Sequence, residues 1–227
     1  MSIWSRLAKA IEALTRGQTL AALFEGFATP PERSIAFTIA VIALGAKMAK
    51  ADGQVTRDEV TAFRRVFQIA PEEADNAARV FNLARQDIAG FESYAARIGH
   101  LLRDDRQLRI DLMEGLFHIA LADGQFHPGE DAFLQRTAEL LGLDQPCFEG
   151  VRARHVPWAV ADPHAVLGIP RHASFAEARA AWRQLVIDMH PDGMLARGVP
   201  PEAVRLAEAR LAIINAAWEA IQRNRAA

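Results

Sequence analysis

Apolar residues recur at spacings of three and four along most of the chain, and no segment alternates apolar and polar residues as a half-buried strand does. Helix-stop and helix-start residues punctuate this pattern. Gly142 suits the left-handed end of one helix, and Asp144 suits the N-cap of the next. The sequence therefore predicts an all-α protein. The predicted helices span residues 32–50, 57–67, 71–85, 91–102, 107–121, 128–141 and 146–154.

Residues 1–28 are predicted to form a separate amphipathic segment, because Trp4, Leu7, Ile11 and Leu14 fall on one helical face. Two interpretations are open. The segment either packs as a lid on the bundle that follows or lies at a membrane surface, where Trp beside basic residues suits the headgroup boundary. The longest apolar run, residues 35–46, is too short to cross a bilayer, so membrane contact is expected at most as peripheral attachment to the inner membrane.

Composition narrows the classes of function. The chain is 51% hydrophobic and 24% charged with a formal net charge of -2, which is typical of a globular protein and predicts no nucleic-acid partner. Cys147 is the only cysteine, so no internal disulfide can form, and the N-terminus lacks the pattern of a secretory signal. We therefore expect a cytoplasmic protein.

A short acidic motif occurs twice in the chain. Residues 49–54 and residues 120–125 share Ala at the first and third positions, followed by Asp-Gly-Gln. Each motif is followed by a glutamate at the same interval, since Glu59 is as far along the chain from Asp52 as Glu130 is from Asp123. This duplication predicts that residues 29–155 form a helical bundle built from two related halves.

The four acidic residues of these motifs have two interpretations. Capping accounts for Glu59 and Glu130, since each falls in the first turn of a predicted helix. If the duplication instead brings both loops to one end of the bundle, the carboxylates repel one another unless a cation lies between them. Hard oxygen ligands favour calcium or magnesium, and no other cofactor is required.

These features resemble the TerB family, including the TerB-like domain of the DjlA group of J-proteins, over residues 29–155. The resemblance implies a helical bundle. It also implies that any metal binding of the family maps here onto Asp52, Glu59, Asp123 and Glu130.

Residues 156–227 are predicted to form a second unit. Ser174 and Glu177 make a capping box at the start of one helix, and a second helix begins near residue 201. Both helices carry an apolar stripe, so they are expected to pack as an antiparallel hairpin with a His190-Pro191-Asp192 loop at its far end. The stripes are Ala178, Trp182, Leu185 and Met189 in the first helix and Val204, Ala207, Leu211, Ile214, Trp218 and Ile221 in the second.

This second unit resembles a J-domain of the DnaJ family. The resemblance implies binding to a DnaK-type chaperone and stimulation of its ATP hydrolysis. In that role Pro191 stiffens the loop that presents His190 and Asp192, and Arg179 and Arg183 offer a positive face to an acidic partner surface. The matching residues are Asp162-Pro163 with Val166-Leu167-Gly168-Ile169 in the first helix, Ala181-Trp182-Arg183 with Leu185 in the second, the tripeptide, and Asn215-Ala216-Ala217-Trp218 in the third.

Four positions depart from the family pattern. Gly193 replaces the Lys that often follows the tripeptide, Met189 replaces the aromatic residue that often precedes it, and His164 replaces the usual Tyr of the first helix. Asp188 places an acid where a base is common. These differences make the second helix less positive, and they predict a weaker and less salt-sensitive encounter with the partner.

The sequence therefore predicts a specialised co-chaperone, in which the TerB-like bundle recruits an unidentified client or binds a metal and the J-domain engages the partner chaperone. An enzyme is not expected, because neither a Gly-rich phosphate loop nor a nucleophile beside a base is identifiable. The competing hypothesis is a metal-responsive structural or sensor protein that uses the J-like hairpin only as an interaction module.

Overall fold

A computed structural model gives the fold of the chain. It describes helical residues 38, 40–42, 44, 45, 47 and 48 and the ranges 91–121, 124–156, 162–199 and 201–226. Every regular element in these residues is a helix, which confirms the all-α prediction. The complete helices are α1 (Phe91–Leu101), α2 (Arg106–Ala120), α3 (Pro128–Leu140), α4 (Gln145–His155), α5 (Pro163–Val166), α6 (Phe175–Asp188), α7 (Pro191–Ala196) and α8 (Pro201–Ala226).

Local chemistry accounts for the ends of the bundle helices. The side chain of Asp105 accepts the Leu108 N–H at 2.9 Å at the start of α2, and Asp144 accepts the Cys147 N–H at 3.0 Å at the start of α4. Gly142 has a φ of +70°, the left-handed conformation predicted for the end of α3. Helices α1 to α4 consequently begin and end within one residue of the predicted bounds.

Helix α2 is the centre of the bundle. Leu112, Leu116 and Phe117 are fully buried, and the Phe117 ring lies 5.7 Å from the ring of Phe148 on α4. The helical residues near position 45 cover another side of α2, since a β-carbon at Gly45 would lie 3.3 Å from Ile119. Because α2 is enclosed on several sides, its side chains can contact several other helices at once.

Helices α6 and α8 pack against each other. The rings of Trp182 and Trp218 stack with centroids 5.3 Å apart, and Trp182 Nε1 donates to Asn215 Oδ1 at 2.9 Å. Further along, Arg225 lies over the ring of Phe175 at 4.2 Å. Because early residues of α6 meet late residues of α8, the two helices run in opposite directions.

The first helix of the C-terminal unit is shorter than predicted. Helix α5 ends at Val166, with Leu167 as its C-cap. Gly168 then adopts a φ of +69°, so it cannot continue the helix as the family match implied. Leu167 is nevertheless buried, and Ile169 packs against the core from the turn that follows.

The bundle and the C-terminal helices share a contiguous core. Helix α5 packs on α4 at a point of close approach, where a β-carbon on Gly150 would lie 3.2 Å from the Cα atom of Gly168. Val151, Val156 and Val166 carry buried apolar surface across the predicted boundary near residue 156. That boundary stays a prediction. The amphipathic helix of residues 1–28 lies outside the described residues.

Candidate functional site

The His190-Pro191-Asp192 tripeptide lies between α6 and α8, at the start of the short helix α7. Helix α6 ends at Asp188 with Met189 as its C-cap, and His190 is the N-cap of α7, where its Nδ1 accepts the Asp192 N–H at 3.3 Å. The predicted loop is therefore the first turn of a helix. Proline is well suited to the first helical position, and an acidic residue in the first turn complements the positive helix N-terminus.

Both polar side chains of the tripeptide face solvent. The His190 side chain is 62% exposed and the Asp192 side chain is 89% exposed, with 3.8 Å between His190 Nδ1 and Asp192 Oδ2. Within the described parts of the chain, neither side chain hydrogen-bonds to another helix. An imidazole and a carboxylate are thus available together on a backbone already fixed by a helix start and a proline.

Exposed side chains of two kinds lie on the helices that flank the tripeptide. Arg179 and Arg183 are exposed on α6, as predicted. Two large apolar residues that the sequence did not single out are also exposed: Ile187 at 64% and Leu195 at 43%. Ile187 lies off the apolar stripe of α6, which was the available signal for it.

Arg197, at the end of α7, contacts both α6 and the bundle. It is the C-cap of α7, its Nη2 donates to the carbonyl oxygen of Asp188 at 2.6 Å, and its Nε lies 3.0 Å from Oδ2 of Asp111 on α2. The end of α6, the end of α7 and the centre of the bundle therefore meet at one guanidinium. Sequence reasoning missed this pair, because nothing local connects two residues so distant in the chain.

A second buried contact lies one turn further along α2. Both nitrogens of the Arg154 fork donate to Glu114 Oε1, at 3.0 Å and 2.7 Å, while Arg210 Nε lies 3.0 Å from Oε2. His155 Nε2 also contacts Oε2. Because Arg154 and His155 lie on α4 and Arg210 on α8, one carboxylate joins the bundle to the longest helix of the C-terminal unit.

Burial and charge shift the pKa values of these groups. Burial alone raises the pKa of Glu114, but Arg154, Arg210 and His155 outweigh it, so this pKa lies well below its usual range. Burial raises the pKa of Asp111 to about 6 despite the opposing charge of Arg197. Burial, with Arg210 and His155 nearby, lowers the pKa of His118 to about 4.

Only one of the four predicted metal residues lies in the described part of the chain. Glu130 is 3% exposed, and its carboxylate accepts the His127 N–H at 2.8 Å, which is the geometry of helix capping. Asp52, Glu59 and Asp123 lie outside the described residues. The described ranges contain no cluster of three or more His, Cys, Asp or Glu residues able to hold a metal ion.

No helix in the described residues is both long enough and apolar enough to span a membrane.

Comparison with protein families decides the identity of the bundle. The model of the tellurite resistance protein TerB matches residues 38–153, which is more than half of the chain. The chain belongs to the TerB family. The match begins in the helical segment that packs on α2 and ends within α4, so both buried carboxylates of α2 lie inside the TerB region.

Relatives of this TerB-family chain extend past the matched region. It is 27% identical to the co-chaperone protein DjlA of Photobacterium profundum over 89% of the chain and 84% of the relative. It is 28% identical to DjlA of Coxiella burnetii over 78% of the chain and 73% of the relative. It is 25% identical to DjlA of Vibrio cholerae over 86% of the chain and 80% of the relative. No solved structure matches the chain.

Proposed function

We propose that this protein is a co-chaperone that binds a DnaK-type chaperone through His190, Pro191 and Asp192 and stimulates its ATP hydrolysis. The observation that carries the proposal is the exposure of His190 and Asp192 on a backbone that a helix start already orders. Binding then costs little conformational entropy at the tripeptide, because its backbone does not have to be ordered by the partner.

The similarity to DjlA proteins supports the same proposal. Those relatives are named co-chaperones, and their similarity runs through the C-terminal unit as well as through the TerB region. Arg179 and Arg183 are exposed on the helix that leads to the tripeptide, where they add positive charge for an acidic partner surface. The nucleotide chemistry in this proposal belongs to the partner.

Single-turnover ATP hydrolysis by a DnaK-type chaperone tests this proposal. The unmodified protein is expected to accelerate hydrolysis, and His190→Gln is expected to reduce the acceleration at least about tenfold, equivalent to about 1.4 kcal/mol. His172→Gln is the matched control. His172 is also exposed, but it lies before the start of α6, whereas His190 lies after its end. Equal acceleration by all three proteins would refute the proposal.

We further propose that the TerB bundle recruits a client or binds a divalent cation. The duplicated Asp-Gly motifs support cation binding, whereas the capping contact of Glu130 supports the purely structural interpretation. Isothermal titration of metal-stripped protein with calcium, magnesium and zinc separates the two. Heat that disappears in Asp52→Asn and Asp123→Asn supports a cation site, and the absence of heat with all three metals rejects it.

A further inference from the structure

We propose that Arg197 is a positioning residue, through which Asp111 of the TerB bundle holds the chaperone-binding tripeptide in its docking orientation. The inference rests on the proposed function. It goes beyond that function by giving the bundle a direct part in chaperone binding, in addition to any recruiting role.

Arg197 contacts the backbone on both sides of the tripeptide, through its side chain on one side and through its own backbone N–H on the other. Its backbone N–H donates to the Gly193 carbonyl at 3.1 Å, and its side-chain Nη2 donates to the Asp188 carbonyl at 2.6 Å. Its Nη1 would lie 3.5 Å from a β-carbon on Gly193. Asp188 is two residues before the tripeptide, so the Arg197 side chain braces the preceding flank. Gly193 is the residue after the tripeptide, and it is held by the backbone N–H of Arg197 through a helical hydrogen bond.

Asp111 anchors this brace to the bundle. Its side chain is 4% exposed, it lies 3.0 Å from Arg197 Nε, and Gln107 Nε2 donates to its other oxygen at 3.3 Å. The Arg197 side chain is itself 18% exposed. A carboxylate this deeply buried has few alternative partners, so the guanidinium is confined to one orientation by a group that cannot follow it into solvent.

The two faces of the short helix α7 therefore have different roles. His190 and Asp192 face solvent at its first turn, while Arg197 faces the bundle at its end. Because α7 has only six residues, fixing its end also fixes the direction of its start. Without the brace the tripeptide keeps its sequence and its proline, but it samples more orientations relative to α6, which weakens association.

Chaperone stimulation measured against protein concentration tests the inference on the full chain. Arg197→Ala is expected to raise the half-saturating concentration about tenfold while the maximal stimulation is kept, because the docking groups themselves are unchanged. Arg152→Ala is the matched control. It removes the ion pair between Arg152 and Asp131, which lies within the bundle and is similar in length to the pair between Arg197 and Asp111. This variant is expected to leave the half-saturating concentration unchanged.

Asp111→Asn supplies the second arm of a double-mutant cycle. It preserves the size of the side chain and one acceptor oxygen, so it is expected to fold even if Arg197→Ala does not, and to raise the half-saturating concentration by a smaller factor. If both residues act through one link, the double variant should be no weaker than Arg197→Ala alone. Thermal unfolding of each variant establishes that the comparison is between folded proteins.

The possible outcomes are distinguishable. A half-saturating concentration for Arg197→Ala equal to that of Arg152→Ala, with His190→Gln still inactive, overturns the inference and leaves the proposed function standing. Effects of Asp111→Asn and Arg197→Ala that multiply in the double variant overturn the link between them. Should His190→Gln stimulate as well as the unmodified protein, the proposed function and this inference fall together.

Discussion

The C-terminal unit uses charged residues in opposite ways on its two sides. Toward solvent, the side chains of His190 and Asp192 are mostly exposed. Toward the bundle, Arg197 pairs with Asp111 and Arg210 pairs with Glu114. Both contacts are largely shielded from solvent. In the proposed function, charge that binds a partner is left in water, where it costs little, whereas the charge proposed to fix orientation is buried, where few geometries satisfy it.

The buried ion pairs link the C-terminal unit to the bundle. Replacing a buried ion pair with apolar residues is often neutral for stability, but breaking one by removing a single partner is strongly unfavourable. Removing one partner from the pairs formed by Asp111 and Glu114 should therefore cost much more than the pairs contribute to stability when intact. On this basis, variants on the bundle side should affect stability most, and variants on the solvent side should affect binding most.

The largest stability effect is expected for Glu114→Ala. The change leaves Arg154 and Arg210 buried without their shared carboxylate, so the free energy of unfolding should fall by about 3–5 kcal/mol in urea denaturation. Glu139→Ala is the matched control. Its carboxylate pairs with Arg136 where both side chains are about half exposed, and its removal should leave stability unchanged. Equal losses in the two variants would contradict the distinction between buried and exposed charge.

A smaller effect is expected where the C-terminal unit touches α4. Gly150→Ala places a methyl group 3.2 Å from the Cα atom of Gly168, against backbone that cannot move aside like a side chain. We expect a loss of about 1–2 kcal/mol in the free energy of unfolding.

Gly193→Ala gives the contrasting result on the tripeptide side. Its new methyl group would meet only ordinary contacts, 3.5 Å from Arg197 and 3.7 Å from Ile187, so stability should stay the same or rise slightly. A larger loss in Gly193→Ala than in Gly150→Ala would show that the packing on the two sides has been misassigned.

The pH dependence of stability separates two groups that lie close together on α2. The pKa of His118 is lowered to about 4, so between pH 4 and 6.5 the unfolded chain binds more protons and stability rises with pH. The pKa of Asp111 is raised to about 6, so between pH 3.8 and 6 the folded chain binds more protons and stability falls as pH rises. The two contributions oppose each other.

Removing either group should therefore expose the other. Asp111→Asn is expected to steepen the loss of stability on acidification by about 1 kcal/mol per pH unit, and His118→Gln is expected to flatten it. His155, whose pKa is also lowered by burial, keeps part of the slope in His118→Gln. Urea denaturation at pH 4.5, 5.5 and 6.5 measures the effect, and slopes unchanged in both variants would contradict these assignments.

The smallest effect is expected on the solvent side, in the salt dependence of association. Arg179 and Arg183 are the positive groups of α6 in the proposed encounter, and Asp188 at its end offsets part of their charge. Replacing both arginines with alanine should slow association less than about tenfold. Stopped-flow measurements across a range of salt concentrations test this expectation, which a steep salt dependence of the unmodified protein would contradict.

Local signals in the sequence carried much of the fold. Gly142 and Asp144 act within a few residues of their own positions, and a capping side chain or a left-handed glycine has the same meaning in most contexts. The packing of the Trp182 stripe on the Trp218 stripe also followed from helical periodicity, because two apolar stripes of similar length have few other ways to be buried.

The contacts between the two units did not follow from the sequence. Asp111 and Glu114 lie on a helix with an apolar face, and an isolated acidic residue there is compatible with exposure as well as with burial. Their partners lie up to 96 residues away, so only the fold brings them together. The short helix α7 was missed for a different reason, since a His-Pro-Asp turn satisfies the rules for a loop and for a helix start equally well.

Single-turnover ATP hydrolysis by a DnaK-type chaperone, in the presence of this protein or its His190→Gln variant, is the most direct test of the account. The exposed tripeptide predicts that the unmodified protein accelerates hydrolysis and that the variant, with its fold and its buried ion pairs intact, accelerates it at least about tenfold less. Acceleration by the variant equal to that of the unmodified protein would contradict the account.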